Sequence, residues 1–266
     1  MQIEIVLGLT AIAAIVPAAV WSWREGFQRN AMLWSVLAVA VAGPVAVLSQ
    51  RAHGVWQADF ASSIWVTVVV TMLAFFLSAV FIKHAWRLTP LVSIYMALFS
   101  VVGLAWQNVP IEPVPAASVS GWLLAHIALA VATYALATLA AVAALAAFLQ
   151  ERALKQKRRP ILDGTLPSIN DCDLLVRRFL LIGEVILGLG LMSGIAVNLV
   201  WGQEPLPIDH KTVFTIGAFI TIGVVLIAQA RWGLRGRRAA RGVLLAYLLL
   251  TLGYPGVKFV SDVLLG

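Results

Sequence analysis

Residues 121–149 read GWLLAHIALAVATYALATLAAVAALAAFL, a run of 29 positions without one Asp, Glu, Lys or Arg. As a helix it would be about 43 Å long. The hydrocarbon core of a bilayer is only about 30 Å thick, so this helix must tilt or project beyond it. Nothing in a water-soluble fold of this size needs such an element, and the stretch decides the fold class.

Outward from it the pattern repeats. Seven further apolar runs lie near 4–22, 31–49, 61–82, 88–107, 174–200, 211–230 and 241–262. The 266 residues are 61% hydrophobic and 12% charged, too few polar side chains to clothe a soluble globule. Only helices or closed barrels satisfy their backbone polar groups in lipid, and runs of this length are helices. The sequence therefore predicts an all-α, polytopic membrane bundle of about eight transmembrane helices in contact with the lipid bilayer. The first run begins Met-Gln-Ile-Glu and lacks the basic start of a signal peptide, so it counts as a membrane helix.

Charge gives the orientation, because Lys and Arg collect in cytoplasmic loops. With the N-terminus outside, all of the 19 basic residues except Arg51, Lys211 and Lys258 fall on the inner side. The outer side holds Glu4, Asp59, Glu112, Glu204, Asp209 and Asp262. Both termini are then expected on the outer side of a bacterial inner (plasma) membrane. The formal net charge of +7 is a signal of topology and implies no nucleic-acid partner.

The Pro-rich connection NVPIEPVPAAS at 108–118 is a natural boundary, since proline cannot continue a helix. It predicts an N-terminal four-helix half over 1–110 and a C-terminal four-helix domain over 120–266. The inner loop QERALKQKRRP at 150–160 is basic, and Asp171 and Asp173 precede Arg177 and Arg178 as at a helix start. The single cysteine, Cys172, excludes an intrachain disulfide and a CxxC redox site.

Four histidines carry the candidate chemistry. His84 sits in the inner KHAWR turn and reads as a loop residue. His53, His126 and His210 fall on the outer side. His126 lies in the first turns of helix five and His210 opens helix seven. Trp122, His126, Leu129 and Thr133 form one helical stripe; His210, Phe214, Gly217 and Thr221 form another. An imidazole beside a large apolar surface suits a flat ligand with a metal centre, and haem is the leading candidate. Zinc on His53, His126, Asp209 and His210 is the rival, although no HxH or HxxxH spacing supports it. Hydrated interface histidines are the plainest alternative.

Three stretches narrow the choice: WLLAHIALAVATYAL, SGIAVNLVWGQEPLPIDHK and RWGLRGRRAARG. From residue 120 onward they resemble the cytochrome c assembly family of haem-handling membrane proteins, the CcsA- and CcmC-like group. The last stretch is the most specific, with Trp232, Arg235, Gly236, Arg237, Arg238, Ala239 and Ala240 in the turn before the final helix. The resemblance implies that His126 is an outer haem ligand and that the following outer loop is a Trp-rich haem platform. Of that platform the chain keeps Trp201, Gly202, Asp209 and Lys211, with His210 where the family has proline. The histidine that usually follows the last helix is absent from YPGVKFVSDVLLG. These departures resemble the short HemX-like or YpjD-like branch.

Glu184, within LLIGEVILGLGLMSG, is an ionisable residue at membrane depth and a functional candidate by default. The neighbouring Gly190 and Gly194 make a GxxxG step that permits close helix approach.

The reading is of a haem-binding or haem-handling inner-membrane protein that supports cytochrome c maturation or haem homeostasis. Its cofactor-binding residues would be His126, His210, Trp122, Trp201 and Asp209, with His126 and His210 on the metal. Haem and cytochrome-maturation or other membrane proteins are the expected partners. No nucleophile with a base, phosphate-binding loop or carboxylate pair is visible, so a binding or assembly factor is expected in place of an enzyme. A regulatory or scaffold protein acting through the inner loops, or a small-molecule transporter, is the alternative.

Overall fold

The computed structural model describes residues 2–23, 28–51, 55–56, 59–107, 114–115, 120–156, 165–200, 202, 207 and 209–260. In chain order the helices are α1 (Gln2–Trp21), α2 (Ala31–Arg51), α3 (Phe60–Phe81), α4 (Thr89–Ala105), α5 (Gly121–Lys155), α6 (Ile169–Val200), α7 (His210–Trp232) and α8 (Arg237–Thr251). Each belongs to a stretch long and apolar enough to cross a membrane. The fold is the all-α polytopic bundle that the apolar runs predict. Its only other pairing among the described residues is a two-residue antiparallel ladder. That ladder sets Val55 against Pro115 and Trp56 against Val114, tying the α2–α3 connection to the α4–α5 connection.

Helix five is the central post. From Val131 to Ala147 it is buried at almost every position, and most of the buried side chains are alanines. Small side chains let α3, α6 and α8 pack against it closely. One continuous apolar core runs from Ile15 and Leu37 through Met72 and Met96 to Leu139, Phe179, Ile222 and Val243.

Several helix starts are set by side-chain caps, which satisfy N–H groups the helix itself cannot. Ser120 accepts from Leu123 N at the start of α5. Asp209 accepts from Thr212 N at 2.8 Å at the start of α7. Asp59 caps α3 and also receives the Arg51 guanidinium at 3.0 Å, with both side chains almost fully buried. Arg51, one of the three basic residues that depart from the expected charge asymmetry, is thus a neutralised buried ion.

Element ends shift from the apolar runs where polar residues continue the helix. α5 persists through Gln150 to Lys155, and α6 begins at Ile169, where Ser168 Oγ accepts from Asp171 N. The final helix starts at Arg237 instead of 241 and passes at Leu252–Gly256 into a π-helical stretch around Pro255. Proline has no N–H to donate, and a wider turn accommodates that loss. His84 stands in the tight turn between α3 and α4 with a left-handed φ of 67°.

Candidate functional site

A cleft of about 360 Å³ opens between α5, α6 and α7 at the end of the bundle where α5 begins. His126, Ala130 and Thr133 line it from α5; Gly190, Gly194 and Asn198 from α6; Asp209, Lys211, Thr212 and Thr215 from α7 and its cap.

The His126 ring is half-buried and fixed by α6. Its Nδ1 lies 2.8 Å from Ser193 Oγ. The Ser193 hydroxyl proton is already donated to the Gly190 carbonyl at 2.8 Å. The serine oxygen must then accept, so Nδ1 carries the imidazole proton and Nε2 keeps its lone pair. This assignment follows from the hydrogen-bond network. Orientation by such an outer partner is how metal-binding imidazoles are commonly held. Gly194 makes the fit possible, since a Cβ there would meet His126 Cε1 at 3.1 Å. The GxxxG step therefore seats the imidazole as well as the helix. Ser193 escaped the sequence reading because a lone serine inside an apolar helix carries no motif.

The other expected site residues are distributed as follows. Asp209 lines the cleft, and the Thr212 backbone N–H holds its carboxyl below the usual carboxylate value. Trp122 is exposed and donates its indole N–H to the Ser193 carbonyl at 3.3 Å, outside the lining. His210 is exposed and also outside the lining. The α7 face bearing Phe214 and Gly217 is turned to α8 and the π-helical stretch after it, where Leu249 and Gly253 meet it. Trp201 and His53 lie outside the described residues. Among the described residues no group of three or more His, Cys, Asp or Glu is placed to hold a metal ion, and His53 of the zinc set lies outside them. A haem needs only one such ligand from the protein.

The structure also shows a polar layer that the sequence reading passed over. Tyr247 of α8 hydrogen-bonds Tyr95 of α4 and, at 2.9 Å, Tyr134 of α5. Tyr134 also reaches Thr251 Oγ1 at 3.3 Å. The Tyr254 ring packs on Tyr134 with centroids 6.0 Å apart. These are all four tyrosines of the chain. A signal existed: membrane tyrosines usually mark the interfaces, whereas Tyr95, Tyr134 and Tyr247 lie well inside their helices.

At the opposite end of the bundle, the RWGLRGRRAARG turn is explained by backbone geometry. Gly233 ends α7 at φ 62° and Gly236 precedes α8 at φ 64°, both left-handed conformations that favour glycine. Glu151 of α5 presses so close to Gly236 that a Cβ there would lie 2.9 Å from Oε1. Asp173 of α6 takes the Gly236 N–H and faces Arg235. Glu184 faces α7 at Gly223, with Oε1 3.2 Å from where a Cβ would stand. Its Oε2 is buried and has no hydrogen-bond partner among the described residues.

Comparison with known proteins gives three findings. Residues 55–265 match the model of a family described as "Cytochrome C assembly protein", a longer stretch than the three motifs cover. A protein of Azospirillum brasilense described as "Uncharacterized 28.8 kDa protein in nifR3-like 5'region" is 42% identical over 271 residues, covering 100% of each chain. No solved structure matches.

Proposed function

Since the chain belongs to the cytochrome c assembly protein family, a role in cytochrome c maturation or haem handling follows, and we propose that it holds haem in the α5–α6–α7 cleft. One observation carries this reading. His126 lines an open cleft with its Nε2 lone pair left available by the Ser193 bond.

The residues present fit the group. Gly194 leaves space beside the imidazole, Leu187, Leu191 and Ile195 supply apolar wall, and Lys211 supplies a cation for a propionate. Bound haem would supply an iron centre whose properties depend on its axial ligand. The protein's part is to fix the imidazole tautomer, exclude water with the apolar wall and neutralise the carboxylates. His210 is the candidate second imidazole on the strength of its place between two cleft residues, Asp209 and Lys211. Trp122 and Trp201 are candidates for contact with the macrocycle.

In this reading the protein is an assembly or binding factor of the bacterial inner membrane and not an enzyme. The cleft faces outward, both termini are outside, and the basic ends are cytoplasmic. Residues 120–266 carry the haem-handling unit, with 1–110 as a supporting half.

Haem added to full-length, detergent-purified protein should give a Soret band shifted from that of free haem. His126→Ala should abolish the shift with helix content intact, and His210→Ala should change only the ligation state. An unchanged spectrum for His126→Ala would overturn the proposal.

A further inference from the structure

A second cleft, of about 410 Å³, lies on another side of α5, between α5 and α8. Alanines and leucines form its walls, and polar groups occur only at its two ends. Tyr95 and Tyr247 close the deep end, where their hydroxyls bond each other. Arg237 and Arg241 stand at the mouth. They are four residues apart on α8 and therefore on one helix face.

Two features define what could enter. Among the described residues neither guanidinium has an ion pair; Arg237 lies over the Phe148 ring at 5.8 Å, and Glu151 and Asp173 line the adjoining pocket with it. An anionic group at the mouth would meet two cations. The wall residues Leu145 and Leu244 are 46% and 52% exposed within membrane-crossing helices, so the slot opens sideways to lipid. From Arg237 to Tyr247 the helix rises about 15 Å, close to the hydrocarbon depth of one leaflet, half of about 30 Å.

We infer that this slot binds an anionic phospholipid from the leaflet on the basic side of the membrane. Its phosphate would lie on Arg237 and Arg241, and an acyl chain along Ala141, Leu145 and Leu244. Guanidinium groups favour phosphate through paired hydrogen bonds, and basic residues at this level attract anionic headgroups. A soluble anion would gain nothing from the apolar walls, and a zwitterionic lipid would gain little from the arginines. This inference is independent of haem binding in the other cleft.

The test is native mass spectrometry of the full-length protein after equilibration in mixed micelles with equal amounts of phosphatidylglycerol and phosphatidylcholine. The wild type should retain phosphatidylglycerol preferentially. Arg237→Gln/Arg241→Gln should lower that preference roughly thirtyfold, while the double Lys variant keeps part of it. Leu244→Trp, on the lipid-exposed wall, should block the slot and lose the lipid although both arginines remain; circular dichroism checks that each variant is folded. Equal retention of the two lipids by the wild type would overturn the inference. So would a Gln variant that behaves like the wild type, or Leu244→Trp retaining phosphatidylglycerol, which would mean adhesion to the arginines alone. Displacement of the lipid by inorganic phosphate or by added haem would reassign the site to a free anion or to the macrocycle.

Discussion

The tyrosine layer and the His126 cleft both place polar groups along α5, and they use them differently. In the layer each hydroxyl is taken up by another: Tyr95 by Tyr247, Tyr247 by Tyr134, Tyr134 by Thr251. The buried Arg51–Asp59 pair is joined in the same way through Asp59 Oδ2. In the cleft one imidazole nitrogen is engaged and the other is left open. Groups that satisfy one another hold helices together; groups satisfied on one side only are set up for something absent from the fold. The difference predicts that disturbing the first class changes stability, whereas disturbing the second changes binding.

The largest effect should come from Asp59→Ala, which leaves the Arg51 guanidinium buried without its partner. A loss of about 3–5 kcal/mol is expected, read as a lowered thermal transition of the detergent-solubilised protein. Stability equal to the wild type would show that the pair is not enclosed as described. Next is Tyr247→Phe, which removes the hydroxyl shared by Tyr95 and Tyr134. It should cost about 1–3 kcal/mol, with loss of near-ultraviolet dichroism at lower temperature.

Asp209→Ala should cost about 1 kcal/mol through the lost helix cap. Here the sign with pH is fixed. The folded value of this carboxyl is lowered, so its stabilisation is full above the unfolded value near 3.9 and vanishes as pH falls through the depressed folded value. Asp209→Asn should keep the cap and flatten that acid limb in a pH series of melts. The smallest stability effect, about 0.5 kcal/mol, belongs to His126→Ala, the variant expected to change the haem spectrum most. If its melt fell as far as that of Tyr247→Phe, the imidazole would belong with the structural groups and the contrast would dissolve.

Much of this was legible in the sequence. Eight apolar runs gave eight helices because lipid imposes one backbone solution. His126, read from its place in the first turns of a helix, and Asp209, read from the family-like loop, both line the cleft. Ser193 was not, because its role depends on the rotation of α6 against α5, which apolar periodicity in a helix buried or lipid-facing all round does not report. The same uncertainty applies to α7: the stripe beginning at His210 is regular, yet it is Lys211, Thr212 and Thr215 that line the cleft. The tyrosine layer joins residues up to 152 positions apart, a separation at which no local pattern remains.

The alanine post has a consequence for traffic across the membrane. The two clefts share no lining residue, and between them α5 is buried from Tyr134 to Ala137. The tyrosine layer seals that same level. Among the described residues, a passage beside the post at that level would require breaking the hydroxyl chain and parting helices packed on Tyr134, Ala135, Leu136 and Ala137. Exchange between the two clefts along α5 therefore requires the helices to separate at that level.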